Sequence, residues 1–304
     1  MMAKAGLLFV GTDDGLVLFS NPNNIGRWLR IGQPFRGHAV RAVWPLADNP
    51  LVVLAAVAGL GVQRSDDGGQ SWGQALDVEA VAMAGDRAST PQIYLSTGAG
   101  MVYRSDDAGT SWIDCAAGGW RDVQDARLAV AHEGGPAIYL GLGDGAVWVS
   151  RDGGASWAPF ASGLPAPIAA LVESYALPGS LYVVAGGALY RCDGESPCQP
   201  LTIPGPAAGA LATLAGKNPA LLFAQPAGGI ARSDDGGATW APAGAEGDWG
   251  GAVTTIAPAS YHIDTAFAGS AGGRLLGSSD RGRTWQLVKQ ELPPIRSIAA
   301  ARLA

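Results

Sequence analysis

Short apolar runs alternate with glycine-rich turns along the whole chain. The clearest stretch has runs at residues 123–131, 137–141, 146–150 and 157–160. Runs of this length, bounded by Gly, Asp and Ser, are typical of β-strands rather than helices. Four of them within one period predict a single antiparallel sheet of four strands.

One octapeptide, Ser/Thr-x-Asp-x-Gly-x-Ser/Thr-Trp, recurs between the predicted third and fourth strands. We call its five copies the box turns: residues 65–72, 105–112, 150–157, 233–240 and 278–285. In each, the carboxylate can accept backbone N–H bonds two residues on, the glycine permits positive φ, and the tryptophan buries a large ring. The residues concerned are Asp67, Asp107, Asp152, Asp235 and Asp280, with Trp72, Trp112, Trp157, Trp240 and Trp285. Because each carboxylate lies in a turn of its own, a structural role is favoured over metal binding or acid catalysis.

The spacing of the tryptophans sets the period of the chain. Trp28 and the box-turn tryptophans that follow it are spaced 40 to 45 residues apart, except that 83 residues, or two periods, separate Trp157 from Trp240. A degenerate copy without tryptophan fills that gap at residues 188–199, and another without the aspartate lies at residues 20–28. Seven such repeats predict an all-β fold, the seven-bladed β-propeller of four-stranded antiparallel blades.

The two ends of the chain are out of phase with the repeats. The first repeat has runs at residues 7–10, 16–20 and 28–31 but lacks an innermost strand, and one surplus run, 295–300, follows the last repeat. We expect 295–300 to pair beside 7–10 and close the ring, which removes two exposed sheet edges. A single domain, residues 1–304, is predicted. Its repeats are expected to end near residues 31, 75, 114, 160, 202, 243 and 289.

The box turns resemble the Asp box, or bacterial neuraminidase repeat. That motif is found in sialidases, sortilin-type receptor ectodomains, xyloglucanases and the photosystem II assembly factor family, all built as β-propellers. The resemblance therefore implies the fold. It implies little about activity, because in those families the motif lies on the blade periphery while ligands bind on the other face, over the central channel. In style the chain is most similar to the single-domain assembly-factor and sortilin-like relatives.

Composition and charge limit the classes of partner and the location expected for this chain. A net charge of −6 disfavours a nucleic-acid partner, which requires clustered Lys and Arg. The longest apolar run, residues 51–62, is shorter than the roughly 20 residues that span a bilayer, so no membrane insertion is expected. Residues 1–10 lack the apolar segment and cleavage site of a secretory leader, which favours a cytoplasmic location. A chain with its leader removed would look the same and would be extracytoplasmic. A monomer is expected.

The chain has three cysteines. Cys192 and Cys198 flank the degenerate box at residues 188–199, where a disulfide would replace the missing tryptophan if the two arms face each other. Reduced thiols are the alternative, because cytosolic cysteines stay reduced. Metal binding is disfavoured, since two further ligands are not apparent, and a catalytic role for Cys115 is disfavoured as well.

Loops on the predicted ligand face carry the first set of candidate site residues. Two tryptophans outside the box turns are accompanied by charges, as in sites for sugars or peptides. The candidates are Arg36, His38, Trp120, Arg121 and Trp249. The alternative is that both tryptophans simply cover junctions between blades.

Alignment of the innermost strands gives the second set. It puts Arg41, Glu79 and Arg296 at equivalent positions of neighbouring blades near the channel mouth. Two guanidinium groups and a carboxylate could bind a carboxylate terminus or another anionic group. They could equally form an internal ion pair.

We expect a non-catalytic binding or assembly scaffold that recognises a protein segment or another ligand. The alternative is a carbohydrate-active protein, either lectin-like or a divergent glycoside hydrolase. The enzyme alternative is weaker because residues 35–38 read Phe-Arg-Gly-His where sialidases have Phe/Tyr-Arg-Ile-Pro, and because xyloglucanases of this kind pair two propellers. His38, His132 and His262 lack metal-ligand spacing, so neither a metal nor a cofactor is expected.

Overall fold

The computed structural model describes residues 5–22, 27–85, 92–115, 126–131, 137–194, 197–245 and 247–303. These residues form β-strands and no α-helix, so they contain no helix able to cross a membrane. In chain order the strands are β1 (Gly6–Thr12), β2 (Gly15–Asn21), β3 (Leu29–Gly32), β4 (Val40–Pro45), β5 (Val53–Val57), β6 (Gly61–Ser65), β7 (Gly73–Leu76), β8 (Ala80–Gly85), β9 (Ile93–Thr97), β10 (Val102–Ser105), β11 (Ile113–Cys115), β12 (Arg127–Val130), β13 (Ile138–Gly141), β14 (Val147–Ser150), β15 (Ala158–Ala161), β16 (Ile168–Glu173), β17 (Leu181–Ala185), β18 (Ala188–Cys192), β19 (Gln199–Pro200), β20 (Leu211–Leu214), β21 (Ala220–Ala224), β22 (Ile230–Ser233), β23 (Ala241–Pro242), β24 (Gly244–Ala245), β25 (Val253–Pro258), β26 (Ala266–Ser270), β27 (Leu275–Ser278), β28 (Thr284–Lys289) and β29 (Ile295–Arg302).

The strands form seven sheets, each containing the four antiparallel strands of one blade. The fold is therefore the predicted seven-bladed β-propeller. The chain divides into two compact units: unit 1 is Met1–Glu79, Pro226–Ile230 and Pro242–Ala304, and unit 2 is Ala80–Gln225 and Ala231–Ala241. The extent of a single domain over residues 1–304 stays a prediction.

Unit 1 contains the sheets β29-β1-β2-β3, β4-β5-β6-β7 and β24-β28-β27-β26-β25. Its second strands are buried on both faces: all seven residues of β1 and all five of β5 are buried. Leu8, Phe19 and Phe267 share one apolar cluster with residues of β29. Continuous apolar runs are needed at these positions because both faces of each strand are covered.

The C-terminal strand completes the N-terminal blade, as predicted. β29 pairs antiparallel with β1 from Gly6 opposite Arg302 to Thr12 opposite Ile295. Ile295 is fully buried and lies in the same cluster as Leu8. The first strand of the chain therefore has partners on both edges, one of which is supplied by the last strand.

Unit 2 contains the sheets β11-β10-β9-β8, β12-β13-β14-β15 and β16-β17-β18-β19, together with most of β20-β21-β22-β23. As in unit 1, second strands are buried on both faces: all five residues of β17 and all five of β21 are buried. Tyr139 and Phe160 pack edge to face at 5.0 Å between ring centroids, and Phe223 packs on Trp240 at 4.9 Å.

One blade departs from the predicted four strands. The short link strand β24 pairs in parallel with the start of β28, so this sheet has five strands. Gly244 lies opposite Thr284, and its N–H donates to the carbonyl of Arg283 at 2.9 Å. This strand was not predicted, because two residues are too few to show an alternating pattern.

The box turns have one hydrogen-bonding scheme, shown here for residues 65–72. The hydroxyl groups of Ser65 and Ser71 donate to the two oxygens of the Asp67 carboxylate at 2.8 and 2.6 Å. The backbone N–H groups of Gln70 and Ser71 also donate to it, three and four residues on rather than the two predicted. Gly69 has φ 95° and its N–H donates to the Ser65 hydroxyl at 2.8 Å. Because both of its oxygens accept hydrogen bonds from these donors, the carboxylate holds the turn closed.

These donors make the box turns sensitive to acid. The hydroxyl groups of Ser111, Ser156 and Thr239 are the main cause that lowers the pKa values of Asp107, Asp152 and Asp235 to about 2. Unfolded aspartate titrates near pH ~3.9. A carboxylate whose pKa is lower in the folded state contributes stability above that pH and loses it as the pH falls through the folded value. The free energy of unfolding should therefore be nearly constant above pH ~5 and fall between pH ~4 and ~2.

Urea denaturation across this pH range checks the acid response. Asp107→Asn should lower stability at neutral pH and weaken the pH dependence. Asp48→Asn is the matched control, because Asp48 is exposed and its carboxylate has no hydrogen bond among the described residues. Equal responses of the two variants would contradict the role of the box carboxylates.

The degenerate box of the fifth repeat is closed by a covalent bond. Cys192, buried at the end of β18, forms a disulfide with Cys198, and their Cα atoms are 4.3 Å apart. Disulfides persist in oxidising compartments, whereas the sequence predicted a cytoplasmic location. The cytoplasmic location stays a prediction. Cys115 is free and buried, and burial is the main cause that raises the pKa of its thiol to about 11. A thiol with such a pKa is a poor nucleophile.

Candidate binding face

Five innermost strands, β4, β8, β16, β25 and β29, share a bulge that determines where their charged residues lie. In β4, Val40 pairs with Val57 and Ala42 with Ala56, so Arg41 is the extra residue. The same shift leaves Ala169, Thr254 and Arg296 as the extra residues of their strands. A bulged residue is unpaired in the ladder, and its side chain can be directed away from the blade.

The predicted alignment of Glu79 is wrong by two residues. Ala80 pairs with Thr97 and Ala82 with Ser96, so Val81 occupies the bulge equivalent to Arg41. Glu79 precedes the strand and accepts a hydrogen bond from the N–H of Gly59 at 2.7 Å. The bulge position is set by the hydrogen-bonded pairs around it, which the pattern of apolar residues does not reveal.

Glu79 nevertheless lies beside Arg41. Its other carboxylate oxygen is 3.4 Å from an Nη of Arg41, and the side chains are 55% and 44% exposed. This pair corresponds to the internal ion pair that the sequence left as the alternative. At such exposure its contribution to stability is small, typically 0 to ~1 kcal/mol.

Arg296 has a carboxylate partner that sequence reasoning missed. Its Nε and Nη2 atoms donate to the two oxygens of Asp13, each at 2.6 Å. This hydrogen bonding to Arg296 is the main cause that lowers the pKa of Asp13. The N–H of Asp13 in turn donates to the carbonyl of Pro294 at 3.0 Å. The β1–β2 turn is therefore tied to both the side chain and the backbone of the closing segment.

A polar network holds the loop that carries Arg36. The carboxylate of Asp14 accepts the N–H of Gly37 at 2.6 Å, and the Gln33 amide donates to the carbonyl of Asp14 at 2.6 Å. Phe35, at φ 63°, anchors the loop by packing edge to face on Trp72 at 5.0 Å. Arg36 between these anchors is exposed, and its side chain has no hydrogen bond or ion pair among the described residues.

His38 is a positioning residue in the same loop. Its Nδ1 lies 3.0 Å from the carbonyl oxygen of Ala58. A carbonyl only accepts, so Nδ1 carries the proton in this bond and Nε2 is left as the second ring nitrogen. We call the surface formed by Asp13, Arg36, His38, Arg41, Glu79 and Arg296 the arginine face. All six residues belong to unit 1.

Trp249 lies apart from these contacts, in a loop of its own. Its ring packs on the buried ring of Trp285, a box-turn tryptophan, with 6.0 Å between centroids. Arg274 braces the loop by donating to the carbonyl of Asp248 at 2.7 Å. This arrangement corresponds to the junction-covering alternative for Trp249. The other loop candidates, Trp120 and Arg121, lie outside the described residues.

The chemistry available on the arginine face is recognition of charge. A glycoside hydrolase needs a carboxylic acid with a raised pKa and a second carboxylate beside it. On this face the pKa of Asp13 is lowered, and the carboxylate of Glu79 contacts a guanidinium and a backbone N–H. Within the described part of the chain, no cluster of three or more His, Cys, Asp or Glu side chains could hold a metal ion.

No protein-family model and no curated protein matches this chain. Among solved structures, YCF48 from Cyanidioschyzon merolae is 14% identical and matches 84% of this chain and 87% of that chain with a TM-score of 0.60. A structure of YCF48 bound to D1 peptide is 16% identical and matches 78% and 77% with a TM-score of 0.56. A GH74 xyloglucanase from Xanthomonas campestris is 19% identical, with a TM-score of 0.59, and the match covers 92% of this chain but 58% of the xyloglucanase. At these identities the likeness shows the β-propeller fold alone.

Proposed function

We propose that this protein is a non-catalytic binding scaffold of the Asp-box type whose arginine face recognises an acidic protein segment. The observation that carries the proposal is the exposed Arg36, which is unpaired among the described residues, close along the chain to the solvent-exposed ion pair of Arg41. Arginine forks match carboxylates in geometry as well as charge. A structure of a peptide complex among the neighbours supports a binding role in general terms.

The ion pairs on the face do not prevent such binding. Arg41 makes a single 3.4 Å contact with Glu79, so an incoming carboxylate can replace Glu79 at little cost. Arg296 is held by two 2.6 Å contacts to Asp13 and is the harder of the two to recruit. We therefore expect Arg36 and Arg41 to contribute most of the binding free energy and Arg296 to position the Asp13 turn.

A peptide array tests the proposal. Fifteen-residue segments of the source organism's proteins would be screened against the purified chain, and the best acidic peptide titrated by fluorescence anisotropy. Each charge-assisted contact contributes about 1.5 to 3 kcal/mol. Arg36→Ala combined with Arg41→Ala should therefore weaken binding at least a hundredfold without changing the melting temperature. Arg283→Ala, at an exposed arginine of a box turn, is the control and should bind normally.

Two results would overturn the proposal. One is unchanged binding by the double variant. The other is failure to bind any acidic peptide, with binding or hydrolysis of xyloglucan oligosaccharides or sialosides instead, which would favour the carbohydrate-active alternative. Arg41→Ala with Arg296→Ala tests the original sequence-based pair, and we expect it to weaken binding less than the Arg36 and Arg41 pair.

A further inference from the structure

A second candidate site lies in unit 1 between the outer strands β3 and β28. It is an open groove of about 810 Å³, which we call the rim groove. Four cationic side chains line it: Arg27, Arg30, Lys289 and Arg302. It shares no residue with the arginine face.

The charge of the rim groove is of one sign. No Asp or Glu is among the described residues that line it, although the whole chain has a net charge of −6. Arg27 and Lys289 are exposed, and their side chains make no hydrogen bond or ion pair among the described residues. Arg30 bonds only to the neutral amide oxygen of Gln33 there, so its charge is not compensated. Four cations without a carboxylate attract anions.

The sequence of the first repeat accounts for this charge. Arg27 directly precedes Trp28, the place that Ser71 takes before Trp72 in a complete box turn. There the hydroxyl of Ser71 binds the carboxylate of Asp67. The first repeat has neither this hydroxyl nor the aspartate, so a cation stands where the five blades with a complete box turn have a closed anionic turn.

The rim groove also has an apolar floor and a free sheet edge. Trp28 and Phe267 pack edge to face at 5.6 Å, and Tyr261 lies beside them in the lining. Leu29 is 48% exposed. β3 pairs with β2 on one side, and within the described residues no strand pairs with its other edge. Exposed edges of this kind can accept an added strand from a partner.

We propose that the rim groove binds an extended acidic peptide segment alongside β3. Its carboxylates would meet Arg27, Arg30 and Lys289, and its alternate apolar side chains would lie on the floor formed by Trp28 and Phe267. A strand presents side chains to opposite sides in alternation, which suits one charged and one apolar surface. Nucleic acid fits less well, because four cations are few against the repulsion of a chain of net charge −6.

The experiment uses the full chain and a fluorescent twelve-residue peptide in which glutamate alternates with valine or leucine. Anisotropy should show binding that weakens with salt, and the same peptide with glutamine for glutamate should bind at least tenfold more weakly. Arg27→Glu combined with Lys289→Glu should reduce binding about a hundredfold or more. Arg151→Glu with Lys217→Glu has the same change in net charge at two exposed residues of unit 2, outside both the groove and the arginine face, and should reduce it less than threefold. Hydrogen exchange should show protection of residues 29–32 on binding.

The outcomes separate this site from the arginine face. Equal loss in the two reversed variants would overturn the proposal in favour of general electrostatics, as would equal binding of the glutamine peptide. Binding that depends on Arg27 and Lys289 without protection of residues 29–32, and that oligogalacturonate displaces, would assign the groove to an anionic sugar and overturn the peptide proposal. Unchanged binding by Arg27→Glu with Lys289→Glu, together with loss of binding by Arg36→Ala with Arg41→Ala, would place the acidic peptide on the arginine face alone and overturn the proposal.

Discussion

Deletion of residues 293–304 is expected to leave unit 1 without a stable fold. The deletion removes β29, which is the partner of β1 at every residue from Gly6 to Thr12. It also removes Ile295, Ile298 and Ala300 from the apolar cluster. Burial of one large aliphatic side chain contributes about 1.5 to 3 kcal/mol, and a whole domain is stable by only about 5 to 15 kcal/mol. Loss of these three side chains from the cluster, together with all the β1–β29 hydrogen bonds, therefore costs a large part of the total stability.

Circular dichroism melting and size-exclusion chromatography test the deletion. The truncated chain should aggregate, or should melt at a much lower temperature with strong dye binding, because both β1 and the cluster are exposed. Deletion of residues 303–304 alone is the control, since it keeps all of β29 and removes only the Leu303 hydrogen bond to Ala5 and one partly buried side chain among the described residues. A monomeric truncated chain with the melting temperature of the full chain would contradict the importance of this strand for closure.

The fold could be predicted from the sequence because the residues of each box turn determine the conformation of that turn. A carboxylate, a glycine and two hydroxyls within eight residues can close only a few turns, and their spacing counts the blades. Closure of the ring could be predicted from the order of the apolar runs alone, since the first repeat lacks its innermost strand and one extra strand follows the last repeat. Such inferences depend on local residues or on counting, and neither requires knowledge of side-chain positions.

The candidate face could be predicted only in part, because its contacts join residues far apart in the chain. Arg296 and Asp13 are 283 positions apart and meet only because β29 pairs with β1. The bulge places Arg41 and Val81, rather than Arg41 and Glu79, at equivalent positions. It depends on which residues pair by hydrogen bonds, and a pattern of apolar residues leaves that pairing uncertain by one or two residues. The rim groove was not predicted, although the loss of the box aspartate before Trp28 was the available signal.

Among single substitutions, Trp285→Ala is expected to have the largest effect on stability. Trp285 is 1% exposed, whereas the box-turn residue Trp112 is half-buried. Removal of a large buried aromatic ring costs about 3 to 5 kcal/mol. Trp112→Ala is the matched control and should cost clearly less, because part of its ring is already in water in the folded state.

The neighbour of Trp285 provides the sharper test. Trp249 lies in a loop, but its ring packs against that of Trp285 with 6.0 Å between centroids. Aromatic pairs in such edge-to-face contact are coupled by about 0.5 to 1.5 kcal/mol beyond their burial. Urea denaturation of Trp249→Ala, Trp285→Ala and the double variant should therefore give a double variant less destabilised than the sum of the two single ones.

The contact contributes nothing if the losses of unfolding free energy in the two single variants add up to the loss in the double variant, and if Trp249→Ala is about as stable as the unmodified chain. Trp249 would then be available as a ligand-binding aromatic residue, as the sequence allowed. Coupling of the expected size, together with a Trp249→Ala variant that keeps its affinity for the acidic peptide of the arginine face, would assign Trp249 to the structure of its own blade. The same variant thus measures a stability term and decides whether this tryptophan belongs to the binding site.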